Sequence, residues 1–169
     1  SSIPFELGII RSHYVGRTFI EPSQSIRQFG VKLKHSVNRS CINNKKVILI
    51  DDSIVRGTTA SKIVKMVYEA GAKEVHLGIS CPPIKHPDFY GIDTPNYNQL
   101  IASNLNIKEM SNLVGAKSLF FLSLDGTYKA MGCSKRNGET PQFTDHCFTG
   151  EYPIDISEIL KLNSKNVTR

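Results

Sequence analysis

The chain has 169 residues, 40% of them hydrophobic, and a formal net charge of +6; this suits one domain with a buried core and argues against a disordered polypeptide. No apolar stretch approaches the roughly 18 residues that span a bilayer, and Ser1-Ser2-Ile3-Pro4 lacks the basic and apolar regions of a signal peptide, so the expectation is a cytoplasmic protein without membrane contact. Cys41, Cys81, Cys133 and Cys147 lie far apart with no Cys-x-x-Cys, a pattern of reduced thiols rather than a disulfide framework.

In chain order, Phe5 to Ile10 reads as a short strand, and Arg11 to about Arg39 has no sustained apolar period. So long an irregular stretch in a compact domain points to a functional segment such as a lid. From Arg11 to Lys46 eight Lys and Arg residues face the single acid Glu21, a local charge of +7, while the rest of the chain sums to −1. Either a nucleic-acid face or a clamp for an anionic polyphosphate accounts for that charge. Val47 to Ile50 reads as a central strand covered on both faces. Thr59 to Ala70 reads as a helix with an apolar stripe at Ala60, Ile63, Val64 and Val67, stopped by a left-handed Gly71. Glu74 to Ser80 then completes a right-handed βαβ unit.

Cys81 to Pro95 is a proline-punctuated loop, Asn96 to Ser103 and Ile107 to Gly115 read as helices, and Lys117 to Leu124 as a further buried strand. Glycine, proline and polar residues make Asp125 to Pro153 an expected irregular excursion. Ile154 to Leu162 reads as a terminal helix, with Asn163 to Arg169 frayed. There is no internal repeat.

The most informative stretch is Val47-Ile48-Leu49-Ile50-Asp51-Asp52-Ser53-Ile54-Val55-Arg56-Gly57-Thr58-Thr59. It places two adjacent carboxylates and a small-residue loop between a buried strand and a helix start. Unpaired amides at the positive end of a helix, together with Thr58 and Thr59 hydroxyls, suit a phosphate. Asp51 and Asp52 repel phosphate, so they suit a sugar diol or a magnesium ion held through water. An acidic pair at a strand end also serves simply as a turn and helix cap. No Gly-Lys-Ser/Thr and no Gly-x-Gly-x-x-Gly is present, which removes the P-loop and the dinucleotide fold.

The hydrophobic-Asp-Asp-Ser-x-x-x-Gly-Thr-Thr pattern resembles the 5-phosphoribosyl 1-pyrophosphate (PRPP) signature of the type I phosphoribosyltransferases. His13-Tyr14-Val15-Gly16-Arg17-Thr18-Phe19-Ile20, Phe89-Tyr90-Gly91-Ile92-Asp93 and Cys147-Phe148-Thr149-Gly150 flank it in the order seen in the glutamine PRPP amidotransferases, so the resemblance covers nearly the whole chain. It implies an α/β fold, a parallel sheet flanked by helices, with residues 1–169 a single phosphoribosyltransferase domain. That domain is expected to be incomplete on its amino-terminal side, without the pyrophosphate loop or a glutaminase domain, since no amino-terminal cysteine opens the chain.

The implied chemistry is displacement of pyrophosphate from C1 of PRPP by glutamine-derived ammonia, giving 5-phosphoribosylamine for purine synthesis. Asp51 and Asp52 match the ribose and Mg2+ positions, Ser53, Val55, Arg56, Gly57, Thr58 and Thr59 the remaining PRPP loop, and Arg11, Tyr14 and Arg17 the closing lid. His13 lies in that lid, where a lone histidine is a bystander as readily as a phosphate donor. Where cluster-bearing members place cysteines this chain has Asp88 and Thr144, leaving Cys147, so no iron-sulfur cluster is expected. The resemblance further implies purine nucleotides as inhibitors, a glutaminase half supplied in cis or in trans, and a homo-oligomer. A nucleobase phosphoribosyltransferase fits less well because of the Tyr14 to Ile20 lid. A non-catalytic PRPP-binding or RNA-binding regulator is the alternative from a different class.

Overall fold

The computed structural model describes residues 2–11, 35–92, 94, 96–157 and 159, with Arg11 described by its backbone alone. Two compact units are present. One comprises Ser1–Asp51, Gly57–Gly78 and Ile107–Phe120, the other Asp52–Arg56, Ile79–Asn106 and Phe121–Arg169. Among the described residues no helix is long and apolar enough to cross a membrane.

Strand β1 (Ile9–Arg11) pairs antiparallel with β2 (His35–Val37), Ile9 opposite Val37 and Arg11 opposite His35. The first strand is therefore later and shorter than Phe5 to Ile10, and Phe5 is 85% exposed. A one-turn helix, α1 (Arg39–Ile42), follows, its entry held by Asn38, whose side chain accepts from the Ser40 N–H. Neither β2 nor α1 is legible from periodicity, since each is under five residues; β2 owes its order to pairing with β1 and α1 to its Asn38 cap.

Strands β3 (Lys46–Asp51), β4 (Glu74–Ile79) and β5 (Ser118–Phe121) form a three-stranded sheet in that order. The strands are parallel: Lys117 N donates to Val75 O at 2.7 Å and Leu122 N to Ile79 O at 2.8 Å, advancing in the same direction along both strands. Helix α2 (Thr58–Glu69) connects β3 to β4 and buries Ala60, Val64 and Val67 at positions i, i+4 and i+7. Val64 and Val67 are fully enclosed, and each such side chain contributes about 1.5–3 kcal/mol. Helix α4 (Ile107–Val114) packs against α2 and buries Met110 and Val114.

The end of α2 is set by Gly71, at φ +99°. Its N–H donates to Tyr68 O and that of Ala72 to Val67 O, the paired bonds that close a helix through a left-handed residue. This is the stop expected from the sequence.

The expectation that β3 is central and covered on both faces is corrected. Among the described residues β3 lies at one end of the sheet order, and its residues alternate between exposed and half-buried. Ile48 is 45% and Ile50 70% exposed. A continuous β-branched run does not reveal whether one face or two are packed.

In the second unit Tyr97–Gln99 forms a 3-10 turn and α3 (Ile101–Asn104) a single helical turn, so the helix expected over Asn96 to Ser103 breaks at the extended Leu100. Strand β5 stops short of Leu124 because Ser123 starts a new helix, α5 (Leu124–Ala130), accepting from Gly126 N at 3.0 Å. The segment 125–153 is consequently not irregular throughout: it holds most of α5 and the short α6 (His146–Thr149). The terminal helix expected over Ile154 to Leu162 falls largely outside the described residues.

Candidate functional site

Asp51 closes β3 and is half-buried, at the edge of a cavity of about 180 Å3 lined by Ile9, Leu49, Ile50, Ala60, Ile63 and Leu77. That lining is apolar apart from Asp51, so the cavity is a packing feature and not a place for a phosphate. In the same unit Gly57 is the residue before α2, buried, with φ +72° and ψ −10°. A β-carbon there is strained, so glycine is what the left-handed turn into the helix requires. Gly57 O accepts the Ser61 N–H at 2.9 Å, and the helix has neither a side-chain cap nor an acid in its first turn. Amides at such an uncapped start, with no acid in the helix's own first turn, suit an anion. Thr58 is exposed and Thr59 half-buried on that turn.

In the second unit Asp52 is exposed and accepts from Ser53 Oγ at 3.0 Å. Ile54 is 3% exposed and roots the segment in that unit's core. Val55 O accepts from Ile101 N at 3.0 Å, and Arg56 Nε donates to Gln99 Oε1 at 2.9 Å. The segment 97–101 therefore supports Val55 and Arg56, a relationship between residues more than forty positions apart that local pattern does not reveal. Among the proposed lid residues, Arg11 ends β1 by its backbone, and Tyr14 and Arg17, like His13, lie outside the described residues.

Asp88 stands apart from this loop in sequence but is one of the most thoroughly bonded side chains in the second unit. Its Oδ2 accepts from Tyr90 N at 2.9 Å and Ile92 N at 2.8 Å, and its Oδ1 lies 2.7 Å from His146 Nε2. Burial raises the Asp88 pKa, and the two amides and His146 outweigh that, holding the carboxyl below its ordinary value. Nearby in sequence, Cys147 is half-buried, burial pushes its thiol up, and Thr144 is exposed. No group of three or more His, Cys, Asp or Glu among the described residues is placed to hold a metal ion.

No family model matches the chain. It is 61% identical over 157 residues to the amidophosphoribosyltransferase of Rhizobium etli, which covers 92% of this chain and 32% of that protein. Identity to the Bacillus subtilis amidophosphoribosyltransferase is 50% over 156 residues, 92% of this chain and 33% of the relative. Among solved structures it is similar to the glutamine PRPP amidotransferase of B. subtilis complexed with ADP and GMP, with TM-score 0.77 and 50% identity over 92% of this chain and 34% of that one. The chain thus spans about a third of the length of the relatives it matches. Over that match the chain corresponds to the carboxy-terminal phosphoribosyltransferase portion of the amidophosphoribosyltransferases.

Proposed function

We propose that the protein binds PRPP through Asp51 to Thr59 and serves as the PRPP-binding part of an amidophosphoribosyltransferase, which forms 5-phosphoribosylamine at the start of purine synthesis. The observation that carries this is Gly57: a buried left-handed residue that turns the chain from an acidic strand end into an uncapped, acid-free helix start. The loop amides and the hydroxyls of Thr58 and Thr59 take the 5-phosphate, and Asp51 and Asp52 accept from the ribose hydroxyls. Arg11, Tyr14 and Arg17 close over the pyrophosphate. Rate enhancement then comes from holding ribose and pyrophosphate in line and from excluding water that would hydrolyse PRPP.

Magnesium suits the donors, because Asp51 and Asp52 supply hard carboxylate oxygens, and this ion binds through one or two carboxylates with water and substrate phosphates rather than a full protein cage. It would balance the charge of the leaving pyrophosphate. Asp88 is committed to His146 and two amides, which supports a protein without an iron-sulfur cluster. The reading includes purine nucleotides as inhibitors, supported by the ADP and GMP in the B. subtilis structure, a glutaminase half in cis or in trans, a homo-oligomer, and a cytoplasmic location, although several plant relatives are named chloroplastic.

Calorimetric titration of PRPP with magnesium present tests the site. Replacing Asp51 and Asp52 together by Asn should remove the metal-linked part of the affinity and leave some phosphate binding. Equal affinity in wild type and double variant would overturn the assignment.

A further inference from the structure

We infer that Gln99 is a positioning residue for the phosphate loop, acting through Arg56; this rests on the PRPP site proposed above. Two bonds join the loop to the segment behind it. Ile101 N donates to Val55 O at 3.0 Å, and Arg56 Nε donates to Gln99 Oε1 at 2.9 Å. They fall on consecutive loop residues, immediately before Gly57 makes its left-handed turn. A loop that presents amides to an anion works only if its backbone is already in the binding shape, since ordering it on binding costs about 1–2 kcal/mol per residue.

Gln99 is itself held on a firm base. Asn104 Nδ2 donates to both Tyr97 O and Leu100 O at 2.9 Å, Tyr97 OH lies 3.2 Å from His86 Nδ1, and Leu100 is fully buried. The carboxamide oxygen therefore meets Arg56 from a fixed backbone. The bond uses Nε, so the paired Nη groups of the guanidinium take no part in it, and a bidentate anion contact stays compatible with the anchor. A glutamate at 99 can accept from the same Nε with charge assistance, whereas a leucine of similar volume cannot accept at all.

The test uses the intact protein as wild type, Gln99→Leu and Gln99→Glu, with two readouts. Amide hydrogen exchange without ligand should be faster over residues 53–57 in Gln99→Leu, unchanged in Gln99→Glu, and unchanged over α4 in both. Calorimetry should show ribose 5-phosphate bound roughly three- to tenfold more weakly by Gln99→Leu, as expected for losing one partly exposed hydrogen bond to a charged group, with affinity retained in Gln99→Glu. Wild-type exchange and affinity in Gln99→Leu would overturn the positioning role, as would a Gln99→Glu variant as impaired as the leucine. A wild-type protein that fails to bind ribose 5-phosphate would instead overturn the underlying site, and altered exchange in Gln99→Leu alone would still distinguish the two failures.

Discussion

His146 Nε2 and Asp88 Oδ1 lie 2.7 Å apart with both side chains almost wholly enclosed, 4% and 2% exposed. The rings of Tyr90 and Tyr152 pack at 5.0 and 5.1 Å from the imidazole. Among the described residues the buried His146 Nδ1 has no hydrogen-bond partner, so the tautomer with the proton on Nε2, donating to Asp88, satisfies the pair best. Asp88→Ala would strand His146 and the amides of Tyr90 and Ile92 together. Its expected cost is several kcal/mol, at about 1–3 kcal/mol for each buried donor left without an acceptor, and Asp88→Asn should cost less because an amide oxygen still accepts. Urea denaturation at constant m measures both.

Stability should fall on acidification in two stages. Burial, with Lys85 and His146 adding to it, lowers the His86 pKa. The unfolded chain therefore takes up that proton first, and stability drops as pH falls below about 6.5. Asp88 and Asp145 have lowered carboxyl pKa values, so their contribution is intact above about pH 4 and is lost as pH falls further through their folded values. Urea midpoints followed from pH 8 to 3 should show both limbs, and His86→Gln should remove only the upper one.

Arg136 ties α5 to the approach of α6. Its Nε donates to Asp145 Oδ2 at 2.6 Å and its Nη2 to Asp145 Oδ1 at 3.3 Å, Glu151 accepts from the same Nη2, and Tyr128 OH donates to Asp145 Oδ2 at 2.8 Å. Arg136→Ala should cost about 3 kcal/mol by leaving Asp145 buried without its cation. Arg136→Lys should recover only part, since an ammonium cannot make the two-pronged contact. Thermal melts of the three proteins decide it.

Gly57→Ala should strain a residue at φ +72° by about 1 kcal/mol and weaken PRPP binding by more than that stability loss implies, because the amides that follow are re-aimed. Comparing melting temperature with calorimetric affinity separates the two effects.

The purified protein should be colourless and iron-free after anaerobic preparation, because a carboxylate at Asp88 and the hydroxyl of Thr144 do not replace thiolate sulfur. Stoichiometric iron with broad visible absorption would contradict the assignment of Asp88 to His146.

The βαβ unit and its loop were readable in the sequence because every signal there is local. The acids end a β-branched run, Gly57 and Gly71 stand where left-handed turns are needed, and Ala60, Val64 and Val67 repeat at helical spacing within one element. Ser123 was a similar local signal, hidden because Leu122 and Leu124 continue the apolar run of β5. Only tertiary structure decided the rest. Asp88 finds His146 across 58 positions, Arg56 finds Gln99 across 43, and Ile48 and Ile50 are exposed because of what packs on one face of the sheet and not the other. Residue type announces that an aspartate or an isoleucine can be buried; whether it is depends on chain segments that its own neighbours in sequence do not specify.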